Sequence, residues 1–320
     1  MGAPRTFNAS LIVLALLFST AFQRDTGSTA NSPPLVKGTE TMTSAWDVPL
    51  NPLTDSSLGT SQLDELIRRG FRIFTNTKAE APGLCGNALS CSNCHLNAGQ
   101  REKALPLFGV AGVFPEYNKR AARSFTLEDR IIGCLLRSQN GSAIADVHEN
   151  DSLSLTWLRS EEVLALSAYI TWLSRGIPAG ARLPWRGQNT ISHEALLPVT
   201  RLDLKKGEAM FKEHCTNCHG EDGQGVQIGD KKAGPLWGPE SWNDGAGAAR
   251  VYTLAGMIRY MMPYLHPGSL TDEQAQHIAA YINFKPRPKF PRKKSDYLIE
   301  PIPPDAVYYS SSPDARSHGR

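Results

Sequence analysis

Cys91-Ser92-Asn93-Cys94-His95 and Cys215-Thr216-Asn217-Cys218-His219 are two copies of one five-residue pattern. C-x-x-C-H is the attachment signature of c-type haem. The spacing has a geometric reason. Thiols three residues apart lie on one side of a helical turn, where both can reach the two vinyl groups of one porphyrin. The histidine that follows then turns its imidazole to the iron. A single copy has other readings: chance, a zinc pair or a redox dithiol. Two copies in one chain argue against these. The sequence therefore predicts two covalently bound haem c groups, one on Cys91, Cys94 and His95 and one on Cys215, Cys218 and His219.

Outward from the motifs, the chain reads as two similar halves. Ahead of Cys91, Leu63, Leu66, Ile67, Phe71 and Phe74 fall at helical spacing over residues 62–75. Further on, Ser160 is a candidate N-cap, with Glu161 and Glu162 in the first turn and Val163, Leu164, Leu166, Ile170 and Leu173 behind it. The second motif has the same plan, with a helix leading into Cys215 and a closing helix over residues 271–283. A cytochrome c fold needs such a pair, because the two helices cross and cover one haem edge. No stretch reads as a convincing run of strands. The predicted fold class is all-α: two cytochrome c-type domains, residues 44–176 and 200–284, joined by an irregular linker over 177–199. Outside the haem motifs the halves share little sequence.

The ends of the chain are of a different kind. Residues 1–21 read as a signal peptide, with Arg5 in the n-region, an apolar run over 11–18 and small residues at Ser19-Thr20-Ala21. Residues 22–43 read as a flexible lead-in. The apolar run is too short to span a bilayer, so the sequence predicts a secreted, periplasmic protein with no membrane span. This agrees with haem c, which is attached outside the cytoplasm. Residues 285–320 form a basic, Pro-rich tail, with six cations over 285–294. That segment reads as an extended strap across both domains or as a docking site for an acidic redox partner. The whole chain has 320 residues, 41% apolar, with a net charge of +3. Cores are therefore affordable, and nucleic acid is not indicated as a partner.

Each iron has a second axial position to fill. After His219 the methionines are Met257, Met261 and Met262. Met262 precedes Pro263 in a loop before the last helix, the usual setting of a distal methionine, and is the predicted ligand. Met261 is next, and core filling is the bland alternative. Pro235 could offer its carbonyl to the other ring nitrogen of His219. Between His95 and residue 176 there is no methionine. The candidates there are Cys134, His148, Lys103 and Lys119, or an open site. Arg130 and Arg137 flank Cys134 and would favour its thiolate. A Cys85–Cys134 disulfide is the competing reading in an oxidising compartment.

Several segments carry a resemblance. The run from Gly86 to Gly99 around the first motif resembles that of the tetrathionate-forming thiosulfate dehydrogenases. So do Tyr117-Asn118-Lys119-Arg120, Thr126-Leu127-Glu128-Asp129-Arg130, the run from Cys134 to Gly141, and Pro304-Asp305-Ala306-Val307-Tyr308-Tyr309. The likeness covers roughly residues 60–310. It implies a His95/Cys134-ligated catalytic haem in the first domain and a His219/Met262 haem in the second. It also implies substrate contacts from Arg120, Arg130 and Ser138. Two thiosulfates would join to tetrathionate, in a reaction that could run either way. Electrons would pass through the first haem to the second and on to an acceptor such as a small cytochrome. The alternative is a diheme electron carrier or a sulfur-carrier subunit with no turnover of its own.

Overall fold

The structure is a computed structural model that describes residues 50–143, 160–228 and 231–309, besides Gly2. The expected signal peptide, the lead-in over 22–43 and His148 lie outside the described residues. The residues from 50 onward belong to one compact unit, Leu35–Arg320. Among the described residues no helix is long and apolar enough to cross a membrane.

Six helices of 11–14 residues carry the described fold: α1 (Gln62–Thr75), α2 (Leu127–Arg137), α3 (Glu161–Leu173), α4 (Leu204–His214), α5 (Val251–Met261) and α6 (Asp272–Asn283). Their starts follow from side-chain chemistry. Ser61 with Asp64, Thr126 with Asp129, and Thr271 with Gln274 form capping boxes, and Ser160 accepts from the Val163 N–H. Each such cap is worth about 1 kcal/mol.

α1 crosses α3 in the first half, and α4 crosses α6 in the second. Both crossings rest on a glycine. A Cβ on Gly70 would lie 1.9 Å from the Ala165 carbonyl oxygen, and one on Gly207 would lie 2.2 Å from that of His277. Only a residue without a side chain lets the backbones approach so closely. Four residues after each glycine stands a buried aromatic. Phe74 meets Tyr169 at 5.4 Å, and Phe211 meets Tyr281 at 5.5 Å, centroid to centroid. The glycine–aromatic spacing is thus a second internal repeat, although the halves share little sequence outside the haem motifs.

Three cores result. Ile67, Phe71, Leu135 and Leu166 belong to the first, and Phe211, Val251 and Ile278 to the second, which also takes in Leu89 from the first half. The third is small and joins Leu96 and Ala104 to Met261.

The all-α reading stands, with two minor ribbons. β1 (Glu116–Asn118) pairs antiparallel with β2 (Arg123–Phe125), Tyr117 opposite Ser124. β3 (Gln227–Ile228) pairs with β4 (Lys231–Lys232). Strands of two or three residues are too short to show alternation in a sequence.

Residues 285–309 run over both halves. The Gly238 N–H donates to the Pro286 carbonyl at 2.8 Å, and the Tyr297 N–H donates to that of Arg120 at 2.8 Å. Phe290 is buried beneath the Arg137 guanidinium, 3.9 Å from ring centroid to Cζ. Three of the basic residues are held by internal partners: Lys285 over Tyr281, Arg287 over Trp242, and Lys293 on Asp244.

Candidate active site

The two C-x-x-C-H motifs fold alike. In the first, the N–H groups of Cys94 and His95 donate to the Cys91 carbonyl at 3.2 and 2.9 Å. In the second, those of Cys218 and His219 donate to the Cys215 carbonyl at 3.2 and 2.9 Å. His95 Nδ1 donates to the Leu105 carbonyl at 2.7 Å, and His219 Nδ1 to that of Gly234 at 3.3 Å. A proton held on Nδ1 leaves Nε2 as the free lone pair, the arrangement of a metal-binding histidine. The acceptor for His219 is one residue earlier than the Pro235 expected. A Cβ at Gly234 would lie 2.4 Å from Leu89 Cδ2, so the bare backbone there fits between Leu89 and the ring.

The electrostatics suit the group these motifs imply. Burial pushes the pKa of both imidazoles down, which keeps them neutral. It pushes Cys91, Cys94 and Cys215 up to about 12, and Cys218 upward too. Thiols held neutral by a dry environment fit thioether bonds, which carry no charge, better than they fit a thiolate–zinc pair, whose charges would need compensation. The residues present therefore fit a covalent haem c.

Around the first motif lies a cavity of about 340 Å³. Cys91, Cys94 and His95 line it together with Arg130, Cys134 and Ser138. The last three are four residues apart, so helical pitch places them on one face of α2, with Ser138 as its C-cap. Lys103 and Lys119, also weighed as ligands, are exposed and do not line the cavity. The Cys85–Cys134 disulfide is not formed. Cys85 is buried, and its thiol donates to the Asn87 carbonyl at 3.2 Å. The second half supplies Trp242 and Ala248 to the cavity wall. Sequence reasoning missed both, since they stand more than a hundred residues from Cys134 and no motif marks them.

Arg120 is not on this wall. Its guanidinium donates to the Gly245 carbonyl, which also accepts from Arg137 Nη1 at 3.0 Å. Burial, and then the nearby Arg137, lower its pKa. The Tyr297 N–H donates to the Arg120 carbonyl and ties that stretch to the C-terminal segment. Met262 caps α5 and packs with Met257, Tyr264 and Leu105 around Met261, Leu96 and Ala104. Met257 also packs against the second core, as Cys215 does.

Two haem motifs, each set between the helices of a glycine-crossed pair, define a two-domain c-type cytochrome. The family model "SoxA/TsdA, cytochrome c domain" matches residues 84–179. That for "Cytochrome C oxidase, cbb3-type, subunit III" matches residues 202–282. The chain is 36% identical to the thiosulfate dehydrogenase of Allochromatium vinosum over 92% of this chain and 99% of that protein. It is 36% identical to that of Stutzerimonas stutzeri, over 75% of this chain and 74% of the relative. The solved structure of thiosulfate dehydrogenase TsdBA from Marichromatium purpuratum matches with a TM-score of 0.67 and 32% identity. It covers 82% of this chain, which spans about half (54%) of that one. The chain belongs to the thiosulfate dehydrogenase family. As a two-domain cytochrome c it carries two covalently bound haem c groups.

Proposed function

We propose that this protein oxidises thiosulfate, joining two of the dianions through their outer sulfur atoms to give tetrathionate and two electrons. The observation that carries this reading is the cavity in which Arg130, Cys134 and Ser138 share one space with Cys91, Cys94 and His95.

The chemistry asks for a cation there. Two unit charges roughly 4 Å apart repel by about 4 kcal/mol at an effective dielectric near 20, and each thiosulfate carries two charges. Arg130 answers this: its guanidinium is always charged and donates paired hydrogen bonds to sulfonate oxygens. Ser138 adds a hydroxyl donor. Holding both anions in one pocket lowers the barrier further by fixing their approach. Cys134 lies between the two, one helical turn from each, and its sulfur, together with His95, would hold the iron of the haem bound here. Arg120 acts at one remove, as a positioning residue. It anchors Gly245 and with it the loop that brings Trp242 and Ala248 to the wall.

Haem c bound here supplies one-electron redox chemistry. Cys91, Cys94 and His95 would hold one group in residues 44–176. Cys215, Cys218 and His219 would hold the other in residues 200–284, with Met262 as the further ligand. Soft thioether sulfur favours reduced iron, so with Met262 as ligand the second site would be the exit toward an external acceptor such as a small cytochrome. With residues 1–21 as a signal peptide, the protein would work in the periplasm.

Purified protein mixed with thiosulfate and ferricyanide tests this. One tetrathionate should appear for every two thiosulfates consumed, with no second protein present. Haem reduction without tetrathionate would turn the reading to an electron carrier. A requirement for a second subunit would turn it to a sulfur-carrier component.

A further inference from the structure

The loop that gives His95 its hydrogen bond is strained. Asn97 (φ 52°), Ala98 (φ 56°), Lys103 (φ 57°) and Leu105 (φ 55°) all lie in the left-handed region, and none is glycine. Ala98, Lys103 and Leu105 each cost roughly 1–2 kcal/mol there, so the shape persists only where its surroundings hold it.

Part of the hold comes from the other half of the molecule. Arg101, 3% exposed, donates from Nη2 to the Tyr264 carbonyl at 2.7 Å. Its guanidinium also lies 4.3 Å from the centroid of the Tyr264 ring. The Tyr264 hydroxyl donates to Asn97 Oδ1 at 2.8 Å. Met261, 1% exposed, packs against Leu96 and Ala104, with Leu105 beside them. Inside the loop, the Ala104 N–H donates to the Arg101 carbonyl at 3.2 Å, and the Leu107 N–H to that of Gly99 at 2.8 Å. Few bonds therefore separate Tyr264 from the carbonyl that faces His95.

We propose that Arg101 and Tyr264 are positioning residues that clamp the Leu105 carbonyl onto His95 Nδ1, so that the second half of the molecule sets the donor strength of the first site's histidine. A close acceptor on Nδ1 raises the basicity of the ring. A more basic ligand favours oxidised iron and lowers the potential. Loosening the clamp lets the strained loop relax, weakens the 2.7 Å bond and raises the potential of the first site. The inference rests on His95 as an iron ligand and is independent of which substrate the cavity takes.

The test is a redox titration of the holoprotein without thiosulfate, followed by electron paramagnetic resonance so that the two oxidised haems are read separately. Tyr264→Phe removes only the hydroxyl on Asn97. Tyr264→Leu also removes the ring beneath Arg101, and Arg101→Gln removes the cation and its bond to the Tyr264 carbonyl. Each variant should raise the potential of the first-site haem. The Arg101→Gln/Tyr264→Leu pair should raise it less than the sum of the two single shifts, because each single change already removes the ring–guanidinium contact. An unchanged or lowered first-site potential in the Tyr264 variants overturns the proposal, as does a fully additive double variant. If Arg101→Gln does not fold, the Tyr264→Phe titration decides alone. Tetrathionate formation by the parent protein is measured separately, so a failed clamp leaves the thiosulfate reading standing.

Discussion

Arg130, Cys134 and Ser138 recur every fourth position, so the functional face of α2 follows from helical pitch. Within that face Cys134 is assigned the chemistry, because it brings to the cavity of His95 a sulfur that the haem motif does not already use. Oxidised protein should therefore show a low-spin, thiolate-type electron paramagnetic resonance signal. Cys134→Gly should abolish it and lower thiosulfate turnover by about 10³-fold or more, the scale for losing a group at the reacting centre. A pyridine haemochrome assay should still count both haems. Cys85→Ser is the contrast. The Cys85 thiol points at the Asn87 carbonyl 3.2 Å away, and a serine hydroxyl keeps that donor, so turnover should stay close to the parent's. Equal losses in the two variants would sink the assignment. The haem motifs were legible in sequence because their chemistry is local, five residues long and repeated. Cys134 was legible only in part. The missing methionine left several candidates open, and the family resemblance rather than spacing favoured one. The place of Arg120 was not legible, since being three residues from Tyr117 says nothing about which way a hairpin turns its cation.

One element decides how that face is presented. α2 begins at the Thr126–Asp129 capping box, and Arg123 of β2 grips Asp129 with two hydrogen bonds of 2.9 and 3.0 Å. Arg123, and then the Thr126 backbone, hold the Asp129 carboxyl below its ordinary pKa despite its partial burial. A carboxyl that titrates lower in the folded state than its unfolded value of about 3.9 stabilises the fold fully above that value. The contribution fades as pH falls through the folded pKa. Asp129→Asn should thus lower stability by about 1 kcal/mol at pH 7, and the gap should close at a strongly acid pH, below the lowered folded value. Urea unfolding at the two pH values reads this, and a gap that is the same at both would rule out the carboxylate as its source. The helix crossings make a second prediction. Gly70→Ala should lower the unfolding stability by roughly 1–3 kcal/mol or more, the cost of overpacking, because its new methyl meets the Ala165 carbonyl. A neutral result would mean that α1 can slide on α3. Four of the six helices were legible from periodicity and caps, while α2 and α5 were not; nor was the glycine that fixes each crossing, because an isolated glycine in a helical pattern looks like a local weakness until its partner helix is known.

At the scale of the whole molecule, the two halves meet around one buried cluster of charge. Arg137 at the end of α2 donates to both Asp296 oxygens at 2.7 Å, and Tyr309 donates to the same carboxylate at 2.5 Å. Gly245 from the second half accepts from Arg137 and from Arg120, and the Asn243 N–H donates to the Arg137 carbonyl at 3.0 Å. None of these meetings has a signature in the sequence. The C-terminal segment was read as strap or docking site, and what ties it to the joint is one aspartate beyond its basic run. Asp296 is the carboxylate bonded to Arg137 here, with 4% of its side chain exposed against 18% for Arg137. Asp296→Ala would leave two neighbouring guanidiniums competing for a single carbonyl. Removing one partner of a buried pair typically costs about 3–5 kcal/mol, and equilibrium unfolding of the holoprotein should register a loss of that size. The same variant should loosen the Gly245 loop and with it the Trp242 side of the cavity, so KM for thiosulfate should rise while the thiolate signal of the first site persists. A loss below about 1 kcal/mol, the range of an exposed ion pair, would mean that the joint is held by Phe290 and Leu89 through apolar contact, with the charge cluster only filling the space between them.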